Sequence, residues 1–484
     1  MRYIKLFLGG RTTPACLTGL LVAAGVLACN SDQLLKVTDP DVARPDALVG
    51  VNALPTLRSG AIGNFGVAYN GGASDVEQVH MSALLSDEFI NTETFPTRIE
   101  IDQRAISITN TSLGNSTQGG SGGTFFDLTR ARASSEFAVN AYRSFAKTAA
   151  DSSGFPEVLS LNGFTYILFA ENYCGAVPVS TQEPDGSFTF GGPESTNTLL
   201  DSAISKFNQA LAVPGTPLTA TIKSLAQVGK GRALLDSGNY AAAAAAVAGV
   251  PTTFQYNYLH AETTTRQNNG TWSLTQSVGR FGEADVEGGV GLPFASDGNL
   301  KRTGGPLDPR VPDSLAKRSG TGSKGFDGAT DQMVQTKDPL RSSPITIADG
   351  VEARLIEAEA ALNAGDAAGA LVILNALRSN SALLSLRGYP AGSLAPLTLQ
   401  PTFATQVDQL FKERAYWLYL TSHRLGDLRR LIRQYGRGVN TVFPNGAYFK
   451  GGTYGTDVNA PVPQAELNNP QYQKAVGACK QNVA

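Results

Sequence analysis

Glu413-Arg414, after nine intervening residues Arg424-Leu425-Gly426-Asp427-Leu428-Arg429-Arg430, and then Val462-Pro463-Gln464-Ala465-Glu466-Leu467-Asn468-Asn469-Pro470 form the stretch that decides the fold. Leu410, Trp417, Leu420 and Leu428 fall on one stripe and predict a long helix over 406–435. On that helix Arg424 and Asp427 are i,i+3 neighbours and can pair, while Glu413 and Arg424 share a face. Glu413, Arg414, Arg424 and Asp427 therefore read as a buried or semi-buried ion-pair network that fixes a helix bend. The two prolines of the second segment fix φ and remove donors, so it reads as a strap that docks the tail, with no binding role.

Working outward, two helix pairs share one register. Gly231, Leu234, Gly238, Tyr240, Ala243 and Val247 fall at the same offsets as Ala358, Ala361, Gly365, Ala367, Ala370 and Leu374. Small residues let antiparallel helices approach closely, and a glycine closes each inter-helix turn by adopting positive φ. The spacing resembles tetratricopeptide (TPR) units, placed near 222–250 and 351–378. Further helices are predicted over 134–149, 159–173 and 196–211 from helical spacing of apolar residues. Between the two pairs, 252–337 is polar and glycine-punctuated, and a loop region that long is functional or has strands of its own. The segment 114–123 reads as a flexible Gly/Ser loop.

The order of these features resembles the SusD-like (RagB/SusD) family of nutrient-uptake outer-membrane lipoproteins. Asp32-Gln33-Leu34-Leu35, Leu84-Leu85-Ser86-Asp87-Glu88, Ala170 to Pro178 and Asp308-Pro309-Arg310-Val311 add to the likeness. The family pattern often carries acidic residues between its two arginines, where this chain has Trp417 and Thr421, so its local network must be arranged differently. The resemblance implies a mostly α fold, a superhelix of TPR-like hairpins with a loop-rich lobe, over a single domain 47–484. The lobe near 252–337 would hold the ligand, and 406–484 would form a C-terminal helix and strap. It implies a protein without catalysis that captures an oligosaccharide or peptide and closes as a hinged lid over a SusC-like TonB-dependent transporter. A TPR-type envelope scaffold that assembles proteins is the alternative.

The N terminus fits this setting. Arg2, Lys5 and Arg11 precede a short apolar run over 17–28, too short to span a bilayer but suited to a signal peptide. Val26-Leu27-Ala28-Cys29 looks like a lipoprotein processing site, so residues 1–28 would be removed, Cys29 lipidated, and 29–46 left as a tether. The expected location is the outer-membrane surface. Of four cysteines, Cys174 and Cys479 would then remain in an oxidising compartment. A bridge between them would staple the tail to the middle of the chain, and two free thiols are the alternative.

Charged residues make up 17% of the chain and the formal net charge is −2, which argues against nucleic-acid binding. The three histidines, His80, His260 and His423, are dispersed and no HExxH occurs, so neither a metal nor a cofactor is expected. A glycosidase needs two facing carboxylates. The acidic run Asp87-Glu88 with Glu93, Glu100 and Asp102 reads instead as a solvated loop face. Capture of a sugar calls for exposed aromatic rings, and the loop candidates are Tyr69, Phe95, Tyr256, Tyr258 and Trp272.

Overall fold

The structure, a computed structural model, describes residues 48–72, 76–114, 122–182, 187–214, 218–299, 307–317, 320, 322–475 and 477–484. Gly50–Ala484 forms one compact unit. The proposed signal peptide, Cys29 and the tether lie outside the described residues, as does most of the 114–123 loop. Among the described residues no helix is long and apolar enough to cross a membrane.

The helical layer is built from α1 (Leu54–Asn70), α2 (Gln78–Leu85), α3 (Pro96–Asp102), α4 (Thr124–Phe145), α5 (Phe155–Asn172), α6 (Thr196–Leu211), α7 (Ala220–Asp236), α8 (Tyr240–Val247), α9 (Gly350–Asn363), α10 (Ala367–Ser379), α11 (Ser381–Leu386), α12 (Phe403–Trp417) and α13 (Arg424–Arg433). Neighbours stack in sequence: α1 on α4, α4 on α5, α5 on α6, α6 on α7, then the α7/α8 and α9/α10 hairpins. The α5 helix is buried from Pro156 to Asn172, because helices cover it on several sides. Phe207 of α6 wedges against two glycines there: a Cβ would come 2.8 Å from its ring at Gly163 and 2.3 Å at Gly229.

The two TPR-like pairs lie where their spacing predicts them. Gly238 and Gly365 close the turns at φ 77° and 85°. A Cβ on Gly231 would stand 2.4 Å from Val247 Cγ1, so only glycine allows this approach of α7 and α8. The units are distant in sequence, yet α8 lies directly on α9. The long insert between them leaves after α8 through β2 (Gln255–Tyr258) and returns through β6 (Ile345–Asp349), which pairs antiparallel with β2. Asp349 then caps α9, accepting from Glu352 N at 2.7 Å. Within the insert β4 (Asp313–Leu315) pairs antiparallel with β5 (Met333–Gln335), and β3 (Phe281–Glu283) pairs with β1 (Phe89–Asn91) from the N-terminal part of the chain.

The single helix expected over 406–435 is two. It breaks at 418–423, where Leu420 and Ser422 hold φ of 52° and 58°. Non-glycine residues in this region persist only where surroundings over-determine them. The exposed backbone groups of the break are met by side chains from four other elements. Tyr69 donates to Thr421 O at 2.7 Å, Arg232 to Ser422 O at 3.0 Å, and Lys337 to Tyr419 O. Leu420 N donates to Glu88 Oε1 at 3.1 Å.

Cys174 and Cys479 form a disulfide. Beside it Cys174 N donates to Ala460 O at 3.0 Å and Ala460 N to Asn172 O at 2.8 Å, so the tail is laid on the end of α5.

Candidate functional site

The C-terminal charges are buried, but their partners differ from those that helical spacing suggests. Arg424 pairs bidentately with Asp87 at 2.5 and 2.6 Å, not with Asp427. Asp427 accepts from Arg414 at 2.8 and 2.9 Å and from Arg430 at 2.7 Å. Burial pushes the Asp427 carboxyl up, yet Arg414 and Arg430 outweigh it and hold it well below the usual range. Glu413 accepts from Arg310 at 2.8 Å, Arg378 at 2.7 Å and Trp417 Nε1 at 3.2 Å. Arg424 and Asp427 both lie on α13 after the break, and each finds its bidentate partner on another element, Asp87 for the one and Arg414 for the other.

The acidic run is likewise not a solvated face. Asp87, Glu88, Glu93 and Asp102 are buried, and only Glu100 keeps partial exposure. Each has an assigned structural contact: Asp87 to Arg424, Glu88 to the helix break, Glu93 to Arg98, Asp102 to Tyr448 Oη at 2.7 Å. Burial pushes Glu88 up to about 8. Among the described residues no group of three or more His, Cys, Asp or Glu is placed to hold a metal.

The five candidate aromatic residues are not brought together. Tyr69 is 2% exposed and its hydroxyl is bonded to the helix break, so it offers no ring face to a ligand. Tyr256 and Tyr258, on one face of β2, cover α1: Tyr258 lies against Gly66, and Tyr256 donates to Glu157 at 2.7 Å. Trp272 is half-buried with Arg341 5.2 Å from its ring centroid. Phe95 alone stands in a surface cluster of aromatic and cationic side chains.

That cluster is assembled by three segments. After β1 the chain runs through Glu93 to Phe95, and Arg98 of α3 reaches back to Glu93 at 3.1 Å. Across this lies the turn 325–330: Phe326 N donates to Gly279 O at 2.8 Å and Asp327 N to Thr92 O at 3.0 Å. Arg280, ion-paired with Glu93, lays its guanidinium against two adjoining rings, 4.6 Å from Phe95 and 4.5 Å from Phe326. The third segment is a hairpin over 446–454, closed by Tyr454 N to Gly446 O at 3.0 Å and Tyr448 N to Gly452 O at 3.1 Å. Gly451 and Gly452, at φ 106° and 76°, make its turn. Its tip carries Phe449 and Lys450. Lys450 Nζ donates to Glu93 O at 2.7 Å and Asp327 Oδ2 at 2.6 Å, tying the hairpin to the other two segments. Burial raises the Asp327 carboxyl, but Lys450 and the Thr330 and Ala329 donors outweigh it and keep it below its ordinary range.

Phe326 is 48% and Phe449 45% exposed. Large exposed rings held by fixed cations are uncommon on a surface and suit stacking on the C–H face of a sugar or on an apolar side chain. Residue types alone did not single out Phe326, Phe449, Arg280 or Lys450, because they are brought beside Phe95 and Glu93 from distant parts of the chain, Lys450 from 357 residues away. A groove of about 550 Å³ beside α12 has no aromatic lining, and its Arg310 and Arg378 are both spent on Glu413.

No family model matches the sequence, and no curated protein matches it. Solved structures do. A SusD superfamily protein from Bacteroides fragilis superposes with a TM-score of 0.59 at 13% identity, over 87% of this chain and 99% of that one. One from Bacteroides thetaiotaomicron gives 0.57 at 13%, over 88% and 99%. A SusD-like carbohydrate binding protein from Bacteroides vulgatus gives 0.51 at 14%, over 78% and 83%. The chain has the SusD-like fold.

Proposed function

We propose that this protein is a nutrient-capture protein of the SusD type, which binds an oligosaccharide, or failing that a peptide, at the Phe95–Phe326–Phe449 cluster. The observation that carries the reading is the exposed aromatic cluster on the loop-rich side of a SusD-like fold. The carbohydrate binding named for the Bacteroides vulgatus structure supports the sugar over the peptide. On this reading Cys29 is lipidated, the protein sits on the outer membrane facing outward, and it closes over its ligand as a lid on a SusC-like TonB-dependent transporter. The same cluster favours capture over a pure assembly scaffold, which needs no exposed stacking rings.

Calorimetric titration with neutral oligosaccharides and with peptides tests it. Each ring covered by ligand contributes about 1–2 kcal/mol of apolar burial, so Phe326→Ala or Phe449→Ala should weaken binding about tenfold with the melting temperature unchanged. Wild-type affinity in both variants would remove the site. Stoichiometric recovery of a β-barrel transporter with the lipidated protein, drawn from its native membrane, tests the partner.

A further inference from the structure

Under the hairpin that carries Phe449 and Lys450, two buried carboxyl groups face each other. Asp102 ends α3, and Glu287 starts the 3-10 turn 287–289. Both are buried, and each acts directly on the other. Each has one oxygen occupied by the hairpin: Tyr448 donates to Asp102 Oδ2 at 2.7 Å, and Tyr454 to Glu287 Oε1 at 2.8 Å. Asn91 N also donates to Asp102 Oδ2, at 2.8 Å. The other two oxygens, Asp102 Oδ1 and Glu287 Oε2, are buried and meet no donor. The two carboxyl groups interact, and a proton on one of them supplies a donor that the other lacks.

The surrounding charges leave room for one negative charge on this pair. Arg104 acts on Glu287, but Asp457 draws on the same guanidinium. Lys450 acts on Asp102 and is already paired with Asp327. Asp87, which faces Glu287, is neutralised by Arg424. A second negative charge would be buried without a counter-ion. The turn that bears Glu287 lies directly under the hairpin, where a Cβ on Gly288 would meet Asn445 N at 2.7 Å and the Tyr454 ring at 2.9 Å.

We infer that the Asp102–Glu287 pair shares one proton and latches the 446–454 hairpin, so that loss of this proton loosens the hairpin and withdraws Phe449 and Lys450 from the cluster. The latch is a property of the free protein. Its consequence for ligand rests on the capture reading. Burial raises both groups above the ordinary carboxylate range; Asp102 adds to the rise of Glu287, whereas the hydrogen bond with Glu287 works against the rise of Asp102, so the proton resides on Glu287. The proton is therefore held at low pH and released as pH climbs above that range, and the hairpin is tight in acid and loose in base.

Hydrogen–deuterium exchange of the unliganded full chain reads this directly, through the amides of Tyr448, Tyr454 and Gly455, with rates corrected for intrinsic pH dependence. Protection should fall about tenfold or more between about pH 5 and about pH 9, as expected for loss of a coupled proton. In Glu287→Gln the amide donates permanently to Asp102, and protection should stay high across the range. Asp102→Asn should behave alike. Wild-type protection that does not change with pH overturns the latch, and so does a Glu287→Gln profile that follows the wild type. The wild-type profile decides even where a variant does not fold. Exchange needs no ligand, so a pH-dependent hairpin in a protein that binds no oligosaccharide would sink the capture reading alone.

Discussion

Arg424 and Asp87 make a bidentate pair with both side chains almost fully buried. Removing one partner leaves an uncompensated buried charge, which costs far more than the pair contributes net. Arg424→Ala should destabilise the protein by about 3–5 kcal/mol, read from the urea midpoint. A loss below about 1 kcal/mol would mean that water reaches Asp87. Glu88 acts with the opposite pH sense to Asp427. Its carboxyl lies near 4.5 when unfolded and about 8 when folded, so folding favours the protonated form. Its contribution is complete below its unfolded value and is lost as pH rises to about 8. Asp427 is depressed, so its contribution holds at neutral pH and is lost only in acid. Glu88→Gln should therefore flatten the decline in stability between about pH 5 and about pH 8.5, and an unchanged slope would count against a protonated Glu88.

At the scale of elements, glycines set how closely the helices approach. The Cβ of Gly231→Ala would overlap Val247 Cγ1, and overpacking of this kind costs about 1–3 kcal/mol. The severe overlap is with one methyl group, Val247 Cγ1, with Ile356 Cδ1 next at 3.3 Å, so Val247→Ala in the same chain should cost less than the sum of the two changes. Additive losses in thermal melts would place the strain elsewhere. The break between α12 and α13 follows the same logic of contact over propensity. The 406–435 pattern is helical throughout, and local preference alone would continue the helix through Leu420 and Ser422. Tyr69, Arg232, Glu88 and Lys337 bond the freed backbone groups and hold the break open. Those partners come from distant parts of the chain, so nothing local announces them.

Across the whole molecule, the disulfide closes a loop of 305 residues and fixes the tail beside α5. Constraining so long a loop in the unfolded chain contributes about 2–4 kcal/mol, so reduction should lower the melting temperature by several degrees and expose 457–484 to proteases. Tail cleavage that is equal in reduced and oxidised protein would show that Val458, Ala460 and their backbone bonds suffice. The helical superhelix with its inserted lobe was legible in the sequence, because small-residue spacing and apolar periodicity are local consequences of a 3.6-residue turn. Burial of the C-terminal charges was legible too, since few ion pairs recur at helical spacing without a reason. The partners were not. Asp87 meets Arg424, Phe95 meets Phe326, and Lys450 meets Glu93 and Asp327, across hundreds of residues, and charge or ring type is the same for every alternative partner. Tyr69, Tyr256 and Tyr258 read as loop aromatics, yet Tyr69 is buried on α1 and the other two lie on β2 against helices, because burial is set by what folds over a residue. The sequence by itself determined the helices, their turns and the residues that let them touch. Tertiary structure alone decided where the long helix breaks, which charges neutralise each other and which rings remain in solvent, because these depend on contacts made only after the segments have met.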